Sequence, residues 1–251
     1  MTFLAAGYRI CFLLLALPLF LPAVRATTFT YTGTGGDLNL ATFDRTNAVV
    51  PGVTTFTISV PDLAFVDPGD SVTLSLAGLQ YPFAGDLRVT LQKSNVTGDV
   101  FNHIGAFNPG DPGYATQLGN SISLCSGNYN FDSSYSGNLW ATAAGLGSAD
   151  SIPCGNYFPT TAFSANNDNL SSGFAGLQIN GAWTLAIYDD FPPFNGGIAA
   201  FVPGLSSWDL TIQAASTSTT PEPATALLTV LFVLLIPIVR RRRTGQAKPY
   251  H

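Results

Sequence analysis

The sequence predicts an all-β protein, a jelly-roll-like antiparallel β-sandwich, and three observations point to it. Five stretches alternate apolar and polar residues with a period of two, which puts one face of each strand in a core. Gly, Pro, Asn and Asp collect between such stretches, as in Asp67-Pro68-Gly69-Asp70 and Asn108-Pro109-Gly110-Asp111-Pro112-Gly113. These are turn residues: Gly reaches positive φ, Pro fixes φ, and Asn and Asp side chains bond their own backbone. Helix formers are scarce, since fourteen of the 15 acidic residues are Asp, Glu222 is the other, and Lys stands only at 93 and 248. That argues against a helical bundle. Strands without intervening helical stretches argue for antiparallel pairing.

The strands follow in order. Phe56, Ile58 and Val60 share one face, then Val72, Leu74 and Leu76, then Leu87, Val89 and Leu91. Trp183, Leu185 and Ile187 repeat the pattern, as do Trp208, Leu210 and Ile212. The 251 residues are 46% hydrophobic and 10% charged with a formal charge of −5, which excludes a disordered polyelectrolyte. Between residues 27 and 220, Arg45, Arg88 and Lys93 face fourteen Asp, a net −11. Such a surface repels nucleic acid and anionic headgroups, so no nucleic-acid partner is expected.

Both ends read as addresses. Residues 1–26 form a secretory signal peptide: Arg9 supplies the charge, Ile10 to Leu21 the apolar stretch, and Val24-Arg25-Ala26 the small or short side chains of a site cleaved after Ala26. Residues 27–213 are the predicted sandwich, and 214–220 a small polar linker that buries too little to order itself. Pro221-Glu222-Pro223 follows, then the uncharged run 224–239, then Arg240, Arg241, Arg242 and Arg243, and a tail at 244–251. Sixteen residues at helical rise span ~24 Å against a hydrocarbon core of ~30 Å, a deficit that snorkelling Arg stems offset. This is the expected transmembrane helix, and the four arginines bias its end to the cytoplasm.

Triplet, short hydrophobic helix and arginine cluster, in that order, resemble the PEP-CTERM sorting signal of Gram-negative bacteria. The resemblance covers about residues 220 to 243. It implies recognition of Pro221, Glu222 and Pro223 by a membrane-embedded exosortase, which removes the transient anchor and passes the protein to the cell surface or extracellular matrix. A permanent single-pass anchor is the alternative reading.

Once Cys11 has left with the signal peptide, Cys125 and Cys154 are the remaining cysteines, in a compartment where thiols oxidise. They are expected to form one disulfide.

A second resemblance runs over about residues 29 to 213. Ala84-Gly85-Asp86-Leu87-Arg88-Val89-Thr90-Leu91 resembles the Gly-Asp-Leu strand of the proprotein convertase P domain (P/Homo B). Asn180-Gly181-Ala182-Trp183-Thr184-Leu185 with Asp189-Asp190 is similar to that family's Asn-Gly-x-Trp-Thr-Leu strand, and Leu205 to Ile212 to its closing strand. Asn130-Phe131-Asp132 and Tyr157-Phe158-Pro159 also stand where the family has such residues. The resemblance implies a β-sandwich that, in the family, supports a subtilisin-like protease domain.

The catalytic equipment is thin, and no enzyme is expected. His103 is the lone histidine between 27 and 220, and a Ser/His/Asp triad would have to be built on it. No Gly-x-Ser-x-Gly, no His-Glu-x-x-His and no phosphate loop is present, since Gly33-Thr34-Gly35-Gly36 lacks a Lys and a following helix. Calcium is the plausible ligand, because Asp oxygens suit a hard cation and adjacent Asp189 and Asp190 repel unless solvated or bridged. Asp132 and Asp86 are the next candidates. Tyr81, Phe83, Phe191 and Phe194 either stack on a sugar or protein, or plug the sandwich ends. The expected function is that of an exported surface or matrix protein with a non-catalytic binding sandwich, its partner an exopolysaccharide or envelope protein. The alternative is an accessory module working with a separately encoded secreted protease.

Overall fold

Each of the five alternating stretches is a strand with its apolar set facing inward: Val72, Leu74 and Leu76, Leu87, Val89 and Leu91, and Trp208, Leu210 and Ile212 are all fully buried. The computed structural model describes residues 26–46, 48–105, 123–146, 150–161, 164–191 and 202–215, within the unit Ala26–Ser216. The signal-peptide stretch before Ala26, the 108–113 turn, Phe194, the linker beyond Ala215, Pro221 to Pro223, the 224–239 run, Arg240 to Arg243 and the tail lie outside these residues. Among the described residues, no helix is long and apolar enough to cross a membrane.

The strands are β1 (Ala26–Asp37), β2 (Thr42–Phe43), β3 (Val49–Val50), β4 (Gly52–Val60), β5 (Ser71–Leu79), β6 (Leu87–Lys93) and β7 (Val96–Asn102), then β8 (Ser123–Leu124), β9 (Gly127–Phe131), β10 (Ser151–Ile152), β11 (Gly155–Tyr157), β12 (Gly181–Asp189) and β13 (Gly204–Ala215). A five-stranded sheet has the order β1-β13-β5-β9-β11 and a four-stranded sheet the order β4-β12-β6-β7. Their inward residues merge into one hydrophobic core, which makes the protein an all-β sandwich. At its centre the Phe174 and Trp183 rings meet edge to face at 5.0 Å, and the Trp183 indole donates to Ile179 O at 2.7 Å. Asp67 to Asp70 is the expected turn, closed by Asp70 N to Asp67 O at 3.0 Å, with Gly69 at φ 102°.

Two short ladders depart from the antiparallel expectation. β9 pairs with β11, and β8 with β10, in parallel. Parallel strands need a crossover of a dozen or more residues, and the segment carrying the short helix Leu139–Ala144 provides it. Cys125 follows β8 and Cys154 follows β10, with Cα atoms 5.8 Å apart at a sequence separation of 29, joined as a disulfide. Tyr129 fastens the same place: its hydroxyl donates to Ile152 O at 2.6 Å and accepts from Cys125 N at 2.9 Å.

The glycine run near the start is a strand and not a loop. Gly33 pairs with Trp208 across β1 and β13, and any Cβ there would collide with the Trp208 indole. The run is small so that a core tryptophan fits over it.

Candidate functional site

The β6–β12 ladder ends where Leu87 pairs with Asp189. Alternation forces Asp189 inward with Leu185 and Ile187, although its side chain is a carboxylate. It is 1% exposed. Its oxygens accept from Ala41 N at 2.8 Å and Phe191 N at 3.2 Å, and the Tyr81 hydroxyl lies against it. Burial still pushes its carboxyl above the ordinary range, against those donors.

The 3-10 turn Ala84–Asp86 leads into β6 and brings Asp86 to the same place. Asp190 N donates to Asp86 O at 3.0 Å, which stitches this turn to the end of β12. Asp86 is buried, and no donor among the described residues reaches its carboxyl. Burial first, then the charge of Asp189, pushes its pKa up to about 8. The same surroundings push the Tyr81 hydroxyl far up, with burial again the main cause.

Asp190 is held differently. Arg88 Nε reaches its Oδ2 at 2.9 Å and Arg88 Nη2 its Oδ1 at 3.4 Å, while His103 Nε2 lies 3.2 Å from Oδ2. Burial raises its pKa, but hydrogen bonds and charge from His103 and Arg88 outweigh that, and its carboxyl sits below the ordinary value. Burial likewise works against the Arg88 charge and is outweighed by Asp190. The Arg88 guanidinium also stacks on the Tyr188 ring, 3.6 Å from its centre. His103 lies one residue beyond β7 rather than within a strand, at φ 48°. That conformation lets Nδ1 meet Gly85 O at 3.0 Å while Nε2 faces Asp190. Both ring nitrogens are therefore engaged.

Of the four carboxylates expected to hold calcium, the fold brings together Asp86, Asp189 and Asp190. Asp132 belongs to the other sheet, where its Oδ1 accepts from Ser134 N at 2.8 Å and Ser134 Oγ at 2.6 Å and its Oδ2 accepts from the Thr73 hydroxyl. It closes a turn after β9. The oxygens of Asp190 are taken by Arg88 and His103, and those of Asp189 by backbone donors and the Tyr81 hydroxyl. Among the described residues no three His, Cys, Asp or Glu side chains converge as a metal set. Tyr81 is 2% exposed, so it plugs the sandwich end; Phe83 and Phe191 are half-buried. The cleavage residue Ala26 pairs with Ala215 at the start of β1, so cutting after it removes one residue from that ladder.

Sequence reading missed Arg88 and His103 as partners of Asp190, because cross-strand register and a left-handed residue leave no periodic trace. It also missed Lys93, whose inward position continues the 87, 89, 91 series. Lys93 lies at the other end of the β6–β12 ladder, paired with Trp183.

No protein-family model and no curated protein matches the chain. Among solved structures, the chain is similar to a part of a complex between the Aeromonas sobria serine protease and its chaperone, at 11% identity and a TM-score of 0.36. The match covers 80% of this chain and 29% of that one, so the chain spans under a third of its length.

Proposed function

We propose that this protein is exported, sorted by its C-terminal signal through an exosortase, and displayed at the cell surface or in the extracellular matrix, where the sandwich binds and does not catalyse. The observation that carries the reading is the order of Pro221-Glu222-Pro223, the apolar run 224–239 and Arg240 to Arg243, behind an N-terminal export signal. The disulfide between Cys125 and Cys154 supports it, because such bonds persist outside the reducing cytoplasm. So does His103, whose two nitrogens face Gly85 O and Asp190 and leave none for a nucleophile's proton. The partner is an exopolysaccharide or an envelope protein.

Mass spectrometry of the mature protein from its host tests this. The expected product starts at Thr27 and ends upstream of the apolar run. A chain still ending at His251 would sink the sorting reading.

The accessory-module reading rests on the three stretches that resemble the P domain. They form β6, β12 and β13, each with its apolar face in the core. Its test is co-purification with a secreted protease from the same host.

A further inference from the structure

Lys93 is an inward-facing cation at the end of β6, 5% exposed. Its stem follows the core face and its ammonium snorkels outward. There Nζ donates to Asn180 O and lies 5.6 Å from the centre of the Trp183 ring. An ammonium has three N–H donors, so one carbonyl and one ring face leave donor capacity for the groove. Among the described residues no carboxylate pairs with it. Burial pushes its pKa down, as an uncompensated buried charge requires.

Beside it opens a groove of about 370 Å³, lined by Gln92, Lys93, Ser94, Asn180, Ala182 and Thr184 together with Gly181. The volume falls at the small end of ligand sites, from about 300 Å³ upward. Gly181 sits at φ 93°, and a Cβ there would come within 3.2 Å of Nζ. The missing side chain thus leaves the ammonium open to the groove. The groove lining carries Lys93 and no Asp, and the Asp86, Asp189 and Asp190 cluster lies at the opposite end of the ladder, so the net −11 of the domain reaches this place largely screened by salt.

We infer that this groove binds the carboxylate of an acidic sugar, a uronate residue within a polysaccharide. Lys93 supplies the charge, and the Asn180 amide and Ser94 hydroxyl suit sugar hydroxyls, while the Gln92 amide, which donates to Ser94 O at 3.0 Å, and the Thr184 hydroxyl, 3.2 Å from Thr57 Oγ1, keep acceptor capacity. Ala182 is the sole apolar side chain in the lining, so a hydrophobic peptide anchor has nothing to enter. An anion here would add a charged partner to Asn180 O and the Trp183 face, a charge-assisted contact in a partly desolvated place. The inference deepens the polysaccharide-binding reading above and rests on it.

The test uses the mature protein purified from its host and digalacturonate as probe, with its dimethyl ester as the uncharged control. Calorimetric titration should show binding of the acid, at least tenfold weaker for the ester and for Lys93→Met. Lys93 is the lone lysine between residues 27 and 220, so its acetylation is read directly by mass spectrometry. Saturating digalacturonate should slow that acetylation at least fivefold in the unsubstituted protein, a readout that survives if Lys93→Met misfolds. Absence of binding, equal binding of acid and ester, or unaltered acetylation would overturn the groove assignment. Host polysaccharide retained equally by wild type and Lys93→Met would overturn the groove while sparing the broader reading. Loss of polysaccharide binding by both would sink both.

Discussion

Asp189 and Asp190 are neighbours in the chain whose carboxyl groups are driven in opposite directions. Asp189 points into the core and is pushed up by burial, while Asp190 turns toward His103 and Arg88 and is held down. The single-residue alternation of a strand end thus places one acid where burial disfavours its charge and the next where an ion pair favours it.

Asp190→Asn keeps the shape and removes the charge that joins β6, the end of β7 and the end of β12. It should cost about 1.5–3 kcal/mol at neutral pH, the range for hydrogen bonds to charged groups. Because its folded pKa is lowered, the Asp190 contribution is present above the ordinary carboxylate pKa and is lost as pH falls through the folded value. Urea unfolding should show the mutant and wild type converging in strong acid, and an equal gap at all pH values would refute the assignment.

Asp86 works in the opposite sense. Its pKa moves from 3.8 to about 8 in the folded protein, so between those values the native state holds a proton that the unfolded chain has released. Stability from this group is full below about pH 4 and declines as pH rises through 8. Asp86→Asn mimics the protonated form at every pH. It should be more stable than wild type at pH 8, on the order of 1–3 kcal/mol, and nearly neutral at pH 4. Thermal unfolding at the two pH values reads this; a larger benefit at pH 4 would contradict it.

Replacing Cys125 and Cys154 together by Ser should lower stability by about 3–4 kcal/mol in the chain-entropy account. The effect should match that of reducing the wild type, measured by denaturant midpoint. A double mutant indifferent to oxidation and equal to the oxidised wild type would remove the disulfide from the folded protein.

Gly33→Val should destabilise by about 1–3 kcal/mol through overpacking against the Trp208 indole. The Trp208 fluorescence should shift with it. Recovery in Gly33→Val combined with Trp208→Phe would trace the cost to this contact.

The strands of the core were legible because alternation is periodic: Leu74, Leu185 and Leu210 each sit inside a run that has no other good reading. The parallel crossover was not, since β8, β10 and β11 are two or three residues long and carry no period. The Asp189-Asp190 pair stood out as adjacent acids at a strand end. Its partners did not, because pairing of Arg88 with Tyr188 and Asn102 is a matter of register, and His103 adopts a backbone angle that composition does not encode. Lys93 left a signal that the reading passed over: two residues beyond Leu91, it continues the inward face of β6, where a charge has to be explained.

Ala26 and Ala215 are direct partners at the open end of the β1–β13 ladder. The first and last residues of the described sandwich therefore lie side by side. Tension applied between those two residues would peel this ladder rung by rung, like a zip, instead of loading all its bonds at once in shear. A tether on the outgoing side alone spares the ladder that opposition of forces, so the domain withstands drag better when it is held by one end than when it is stretched between two.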